Sequence, residues 1–559
     1  MLHNNKLLII LNVFYLLLAS TIVNATEAEP QAAGSWIAVL PPILTIVFAL
    51  IWKRVIPALF LGIWLGAWII NDFGIKGLWV GLLDSFQVYV LNSLADSDRA
   101  SIILFSLMVG GMVGIISRNG GMQGIVNHII KWANSARHAC LATASLGLTI
   151  FFDDYANTLV VGNTMRSVTD SMNISRAKLA YIVDSTAAPV ACVALVTTWI
   201  GYEVGLIGDA ISKLPGIQED AYLLFLNTIP YSFYPLLAIA FVFMISASGR
   251  DFGPMLKAEI HARKNGAAQT DNKTDDNQDC EIIEPIPGKP QRALNAFVPV
   301  LVMIFGVLGG LYVTGLEAVT DIENPTLRDI IGASNSYTAL MWASMLSMMT
   351  AAILTMGQRI MDLEEVVNAW YQGSRSMFYA LIILVLAWSL GEVTSVLRTA
   401  DFLVTAMGDA LPAFLLPVIV FVLAAATAFA TGSSWGAMGI LLPLSIPLTW
   451  AVMQNHGQIG PEHMHLLYSS IAAVLAGSVW GDHCSPISDT TILSSLASGC
   501  DHIEHVRTQL PYAMLVGVIS LLAGSLLTAL GSPWWIGMLL GLGLLALTLR
   551  LFGKRPEEF

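Results

Sequence analysis

Acidic and hydroxyl-bearing residues interrupt four long apolar stretches of this 559-residue sequence. Two interruptions are Asp153–Thr158 and Thr431–Gly436, and two contain a proline, Asp184–Pro189 and Gly481–Thr491. Proline removes an amide donor and disrupts the helical hydrogen-bond ladder, while Ser, Thr and Asp beside it supply oxygen ligands. Because a carboxylate inside an apolar stretch is a functional candidate by default, the pattern predicts binding of a small cation. A carboxylate that holds either a metal ion or a proton can exchange the two.

The candidate ion-binding residues are the acidic, hydroxyl, amide and glycine residues of these interruptions: Asp153, Asp154, Asn157, Thr158, Asp184, Ser185, Thr186, Gly432, Ser433, Ser434, Asp482, Ser485, Ser488, Asp489 and Thr490. We expect Na⁺ at Asp482, with Asp184 as its counterpart in the other half. A structural alternative applies to Asp489 and to one of Asp153 and Asp154, since each stands where a helix is expected to begin and could cap it.

A zinc site is disfavoured, although His483 and Cys484 invite it. The downstream residues His502–His505 have neither the zincin nor the inverzincin spacing, and they fall in an expected cytoplasmic loop. No cofactor is expected.

The composition identifies the environment of these residues. The chain is 55% hydrophobic and 12% charged, whereas soluble domains carry roughly 25% charged residues. Such a chain needs a bilayer as the solvent for most of its apolar residues. Its net charge of −12 argues against nucleic acid as a partner. The five cysteines are odd in number and mostly lie in or beside apolar segments, so no disulfide framework is implied.

Basic residues orient the first half of the chain. Residues 1–25 resemble a cleaved secretory signal peptide, with an uncleaved first span as the alternative. Transporter half 1 covers residues 36–250. Its basic clusters near Arg166 and Arg250 should both be cytoplasmic. Three apolar segments, 139–165, 179–200 and 221–246, lie between Arg137, which should also be cytoplasmic, and Arg250. Three full crossings cannot join two points on one side, so we predict that 139–165 is a re-entrant hairpin and that 179–200 is a broken helix.

The second half repeats this plan. Residues 265–292 have the composition of a disordered cytoplasmic linker rather than a small folded insert. Transporter half 2 covers 294–530, with a hairpin at 411–452 and a broken helix at 466–497, and an extra C-terminal span covers 534–551. The predicted fold is an all-α membrane protein with about 11 full spans plus two hairpins.

An internal repeat relates the two halves. Residues 101–166 and 381–446 align without a gap at an offset of 280, and the two copies enter the membrane from opposite sides. This indicates an inverted-topology repeat, as in many secondary transporters. Coincidence between two Leu-rich stretches is the alternative.

The segment Trp480–Ser495, WGDHCSPISDTTILSS, closely resembles the signature of the NhaC-type Na⁺/H⁺ antiporter family. Phe151–Thr158 and Asp184–Pro189 look like its first-half counterparts, and the resemblance covers most of the chain from about Trp36. It implies the wider ion-transporter superfamily, whose fold has inverted repeats, paired hairpins and often an elevator-like motion. Family members exchange Na⁺ for H⁺, and some relatives move organic acids or amino acids.

These observations predict a secondary active transporter and not an enzyme. The leading expectation is an antiporter that exchanges cytoplasmic Na⁺ for external H⁺ at a shared carboxylate site in a bacterial inner membrane. The mature N-terminus would be periplasmic and the C-terminus cytoplasmic; the expected partners are Na⁺, H⁺ and the lipid bilayer, with a possible homodimer. The main alternative is a Na⁺- or H⁺-coupled carrier of a small organic acid or amino acid. A channel and an intramembrane hydrolase are further alternatives. Adjacent Asp153 and Asp154, however, are not the two-helix dyad that aspartyl hydrolysis needs.

Overall fold

The computed structural model describes eight stretches of the chain: 33–52, 54–214, 216–217, 219–266, 284–319, 325–399, 401–402 and 412–559. The predicted signal peptide and residues 267–283 of the predicted linker lie outside these stretches.

Regular structure in the described residues is helical, and long runs of Leu, Ile, Val, Ala and Phe with few breakers account for it. The α-helices before the linker are Leu40–Trp52, Val55–Ile70, Ile75–Asp84, Leu91–Ala95, Ser97–Arg118, Gly121–Ile129, Ala136–Thr149, Asp154–Ser171, Arg176–Ser185, Ala188–Ala191, Ile200–Ser212, Ala221–Thr228, Phe233–Ser248 and Gly253–Asn265. Those after it are Leu294–Ala318, Leu327–Gly332, Ser336–Gly357, Leu363–Ser376, Phe378–Val396, Leu416–Thr431, Ser434–Asn455, Met464–Cys484, Asp489–Ser498, His502–Ile519, Leu527–Ala529 and Trp534–Leu551. Two π-helical segments, Ser85–Val90 and Ser520–Leu526, continue neighbouring helices.

Many of these helices are long and apolar enough to cross a membrane. Nine in the described part of the chain meet that test, and the pair Ala221–Tyr231 and Phe233–Ser248, bent by 52°, would make a tenth. Trp36–Ala49 and Val55–Ile70 are shorter apolar helices. The chain is therefore a multi-pass membrane protein, as predicted, while the count of about 11 full spans stays a prediction.

The two predicted hairpins are both pairs of packed helices. The first hairpin consists of Ala136–Thr149 and Asp154–Ser171, and the second of Leu416–Thr431 and Ser434–Asn455. Their second arms begin 280 residues apart, the offset of the sequence alignment. The residues before those arms, Asp153 and Ser433, adopt nearly the same extended backbone, with φ of −155° and −150°.

A tightly packed layer lies beside the first hairpin. Helix Ser97–Arg118 packs against Leu363–Ser376 and Ser336–Gly357. Glycines allow this approach: a Cβ on Gly114 would lie 2.9 Å from the Cα of Gly373. Small residues at the contact allow membrane helices to pack this closely.

Candidate functional site

The interruption in the second half brings a carboxylate and two hydroxyls together. Helix Met464–Cys484 ends just before Ser485–Ser488, a segment that we call the second break, and helix Asp489–Ser498 begins after it. Asp482 is 2% exposed. The Thr490 hydroxyl donates to Asp482 Oδ2 at 2.7 Å, and the hydroxyl oxygens of Ser488 and Thr490 lie 3.0 Å apart. Three oxygen-bearing side chains thus share one buried place.

The interruption in the first half places a second carboxylate beside the first. Helix Arg176–Ser185 ends before residues 186–199, which we call the first break, and helix Ile200–Ser212 follows. Asp184 is 1% exposed. Its Oδ2 accepts hydrogen bonds from Gln509 Nε2 at 2.6 Å and from the Thr491 hydroxyl at 3.3 Å. Because Thr490 contacts Asp482 and Thr491 contacts Asp184, consecutive residues of one helix link the two predicted carboxylates.

Several polar residues of this cluster were missed by the sequence analysis. His483 Nε2 lies 3.0 Å from the Ser185 hydroxyl, and its Nδ1 lies 2.6 Å from the hydroxyl of Tyr234. His505 Nε2 lies 3.4 Å from Asp184 Oδ2 and 3.0 Å from the Ser494 hydroxyl.

The expectation that His502–His505 lie in a loop was wrong. Helix His502–Ile519 begins there, with Asp501 accepting a hydrogen bond from the Glu504 amide as its cap. His505 and Gln509, four residues apart, therefore project from one helical face toward Asp184. Two polar residues spaced four apart at the start of an apolar run were the sequence feature that could have identified this pair.

The two aspartates at the tip of the first hairpin make different contacts. Asp153 is the helix cap, accepting a hydrogen bond from the Ala156 amide at 2.7 Å. Asp154 is 1% exposed, and neither of its carboxylate oxygens has a hydrogen-bond partner among the described residues. The same is true of the Asn157 Oδ1 and the Thr158 hydroxyl. Buried oxygens in proteins are usually hydrogen-bonded, so these four oxygens are candidates to contact a bound ion.

The first tip is also fastened to the first break. The Asn157 amide donates to the Gly147 carbonyl at 2.7 Å and to the Thr186 carbonyl at 3.0 Å. The Thr198 amide donates to the Phe152 carbonyl at 2.9 Å. The Thr186 hydroxyl, in contrast, donates to the carbonyl of Ile182 in the preceding helix.

The tip of the second hairpin rests on the second break. Gly432 has a φ of +68°, and a Cβ there would lie 2.8 Å from the carbonyl carbon of Ile487. Ser433 accepts a hydrogen bond from the Gly436 amide as the helix cap, and Ser434 is buried beside it. The Ser485 hydroxyl donates to the Phe429 carbonyl at 2.7 Å. The hydroxyls of Ser433 and Ser485 therefore bond to backbone groups and not to the carboxylates.

A further contact joins the tip of the first hairpin to the second half. The Tyr155 hydroxyl donates to Asp489 Oδ2 at 3.2 Å, so the first hairpin touches the helix that follows the second break. The cap of that helix is Ser488, whose hydroxyl accepts from the Thr491 amide, and not Asp489. All four interruptions are thus in contact through described residues.

A cavity of about 540 Å³ lies between the tip of the first hairpin and the layer beside it. Asp153 and Tyr155 line it from the hairpin, Arg118 from the end of helix Ser97–Arg118, and Glu365 and Gln372 from helix Leu363–Ser376. Lys178, on the same helix as Asp184, pairs with Asp251 at 2.6 Å instead of facing the carboxylate cluster. The cavity therefore borders the first tip at Asp153 and Tyr155 and carries charges of both signs.

Several known proteins are similar to this chain in sequence or in fold. The model of the Na⁺/H⁺ antiporter family matches residues 190–527. An uncharacterized protein of Haemophilus influenzae is 33% identical over 485 residues, which cover 86% of this chain and 88% of the relative. The arginine/ornithine antiporter ArcD of Halobacterium salinarum is 38% identical over 115 residues, 19% of this chain and 21% of ArcD. In fold, the chain is similar to the YdaH transporter of Alcanivorax borkumensis, with a TM-score of 0.53 and 16% identity over 81% of this chain and 90% of that one.

Proposed function

The chain belongs to the Na⁺/H⁺ antiporter family, and from this premise we propose that it exchanges Na⁺ for H⁺ at the buried pair Asp482 and Asp184. The observation that carries the proposal is the link through Thr490 and Thr491, whose hydroxyls contact one carboxylate each. This link holds two carboxyl groups and neutral hydroxyl oxygens next to each other inside the protein.

The donor set suits a hard cation. Carboxylate and hydroxyl oxygens are the ligands such ions prefer. Asp482 and Thr490 supply them directly, and Ser488 stands 3.0 Å from Thr490. When the cation leaves, the buried charge is left without compensation, so a proton takes its place. Cation and proton then alternate on one carboxylate, and no other machinery is needed for exchange.

The surrounding interruptions provide for access. Both hairpin tips contact the breaks that follow the carboxylates, and the 540 Å³ cavity lies between the first tip and Arg118. Positively charged residues mark that side as cytoplasmic. We propose that the cavity is the inner entrance, in an inner membrane with the N-terminus outside and the C-terminus inside. A homodimer stays a prediction.

The test is Asp482→Asn in proteoliposomes, with proton movement recorded after a Na⁺ pulse. Asn keeps the shape of the side chain and cannot exchange a proton. The variant should fold and lose Na⁺-driven proton movement, while Asp482→Glu should retain part of it with an altered Na⁺ dependence. Asp401→Asn is the matched control, because Asp401 is 53% exposed and pairs with Arg398 far from the cluster. Wild-type exchange by Asp482→Asn would contradict the proposal.

A coupled carrier of a small organic acid or amino acid is the second candidate. The cavity is much larger than a single ion needs, and Arg118 and Glu365 give it both signs of charge. Such a lining suits a solute with a carboxylate and an amine. Proton movement on a Na⁺ pulse without any organic solute favours the antiporter, and movement that requires the solute favours the carrier.

A further inference from the structure

Glu203 is a buried carboxyl group that the proposed exchange site does not use. It lies in the first turn of helix Ile200–Ser212 and is 0% exposed. Neither of its carboxylate oxygens has a regular hydrogen-bond partner among the described residues.

The thiol of Cys192 lies against this carboxyl group. Cys192 directly follows the short helix Ala188–Ala191, so the contact joins the two ends of the irregular segment 192–199. The same segment touches the first hairpin tip through the Thr198 amide and the Phe152 carbonyl, 2.9 Å apart. A movement of the first break would therefore change the surroundings of Glu203.

Other charged groups near this helix are already paired or lie farther along it. Arg99, from helix Ser97–Arg118, pairs with Asp209 and lies 4.0 Å from Glu392, which comes from helix Phe378–Val396. Tyr222, from helix Ala221–Thr228, donates to the Leu195 carbonyl. The packed helix 434–455 has no charged residue in its sequence. None of these groups is in position to balance a charge on Glu203.

Burial without a countercharge favours the neutral acid. An unpaired carboxylate anion is far costlier to bury than the protonated group, and a thiol is too weak a donor to compensate. Burial therefore favours the protonated form of Glu203 in this conformation. A cavity of about 380 Å³ is lined by Gly205 and Asp209 of the same helix, whereas Glu203 itself is 0% exposed, so its proton can reach water only after this part of the protein moves.

We propose that Glu203 is a second proton-binding site, which releases its proton when the first break rearranges and takes one up when it returns. The step is a simple dissociation of the carboxylic acid into carboxylate and H⁺, with no change at Cys192. It rests on the proposed antiport and deepens it. The protein then moves one more H⁺ per Na⁺ than the exchange at Asp482 and Asp184 provides.

The experiment measures the coupling ratio in proteoliposomes. Fixed Na⁺ and pH gradients are imposed, and the membrane potential at which net Na⁺ flux stops gives the number of H⁺ per Na⁺. Glu203→Gln copies the neutral acid in size and shape, so it should continue to exchange with one H⁺ fewer per Na⁺. Glu203→Asp keeps a titratable carboxyl and should retain the wild-type ratio. Glu462→Gln, at a side chain that is 69% exposed, is the control for the same chemical change.

The outcomes separate the two proposals. A wild-type ratio in Glu203→Gln would mean that Glu203 keeps its proton throughout the cycle, and the inference fails alone. A ratio lowered equally in Glu203→Gln and Glu203→Asp would assign the effect to packing and would also overturn it. Wild-type protein that moves no H⁺ on a Na⁺ pulse would overturn the antiport itself and this inference with it. If the Gln variant does not fold, wild-type infrared difference spectra decide: a protonated-carboxyl band beyond that of the exchange site must disappear when Na⁺ binds, and its absence refutes the inference.

Discussion

Gly432→Ala tests whether the second hairpin tip must rest on the second break for the cation site to form. Gly432 ends helix Leu416–Thr431 in the left-handed region, with φ of +68° and ψ of 30°. An added Cβ would meet the Ile487 carbonyl group, whose carbon would be only 2.8 Å away. That group is backbone and cannot rotate aside, so the tip and the break must move apart.

Gly249→Ala is the matched control for the backbone strain of an alanine in the left-handed region. Gly249 ends helix Phe233–Ser248 in nearly the same conformation, with φ of +62° and ψ of 28°. A Cβ there would meet the flexible side chain of Arg137 at 3.0 Å. A left-handed alanine costs about 1–2 kcal/mol at either site. Overpacking against backbone adds about 1–3 kcal/mol at Gly432 alone.

Both variants should therefore unfold at lower temperatures than wild type in detergent, and Gly432→Ala at the lower temperature of the two. Only Gly432→Ala should change exchange, because Ile487 lies between Ser485 and Ser488. If about 1.4 kcal/mol of the strain is relieved by displacing the break, the Na⁺ concentration for half-maximal exchange rises about tenfold. Equal melting temperatures and equal Na⁺ dependence in the two variants would refute this account.

Two further substitutions test contacts between elements. Tyr155→Phe removes the hydroxyl that donates to Asp489 at 3.2 Å. The loss of about 1 kcal/mol should slow Na⁺-driven proton flux about fivefold in the folded protein. An unchanged rate would show that transport does not use this contact. Lys178→Met leaves Asp251 and Glu259 buried with less positive charge beside them. It should lower the free energy of unfolding by about 3–5 kcal/mol, which thermal unfolding measures. The control is Arg507→Met, at an exposed side chain, which should melt like wild type.

The local features of the fold could be predicted from the sequence. Apolar runs require helices in a bilayer, and polar residues, glycine and proline mark where those helices stop. The hairpin tips illustrate this, since Asp153 and Ser433 cap helices that begin 280 residues apart. The all-helical membrane fold and the antiporter family were confirmed, because both depend on patterns within short stretches of chain.

The assembly of the site depended on tertiary packing. Asp184 and Asp482 are about 300 residues apart, and only the position of helix Asp489–Ser498 between them brings Thr490 to one and Thr491 to the other. The approach of His505 and Gln509 to Asp184, and the burial of Glu203 behind the first break, have the same origin. A helix break is set by the residues in it, whereas the partner of a buried side chain is set by which distant helices pack together.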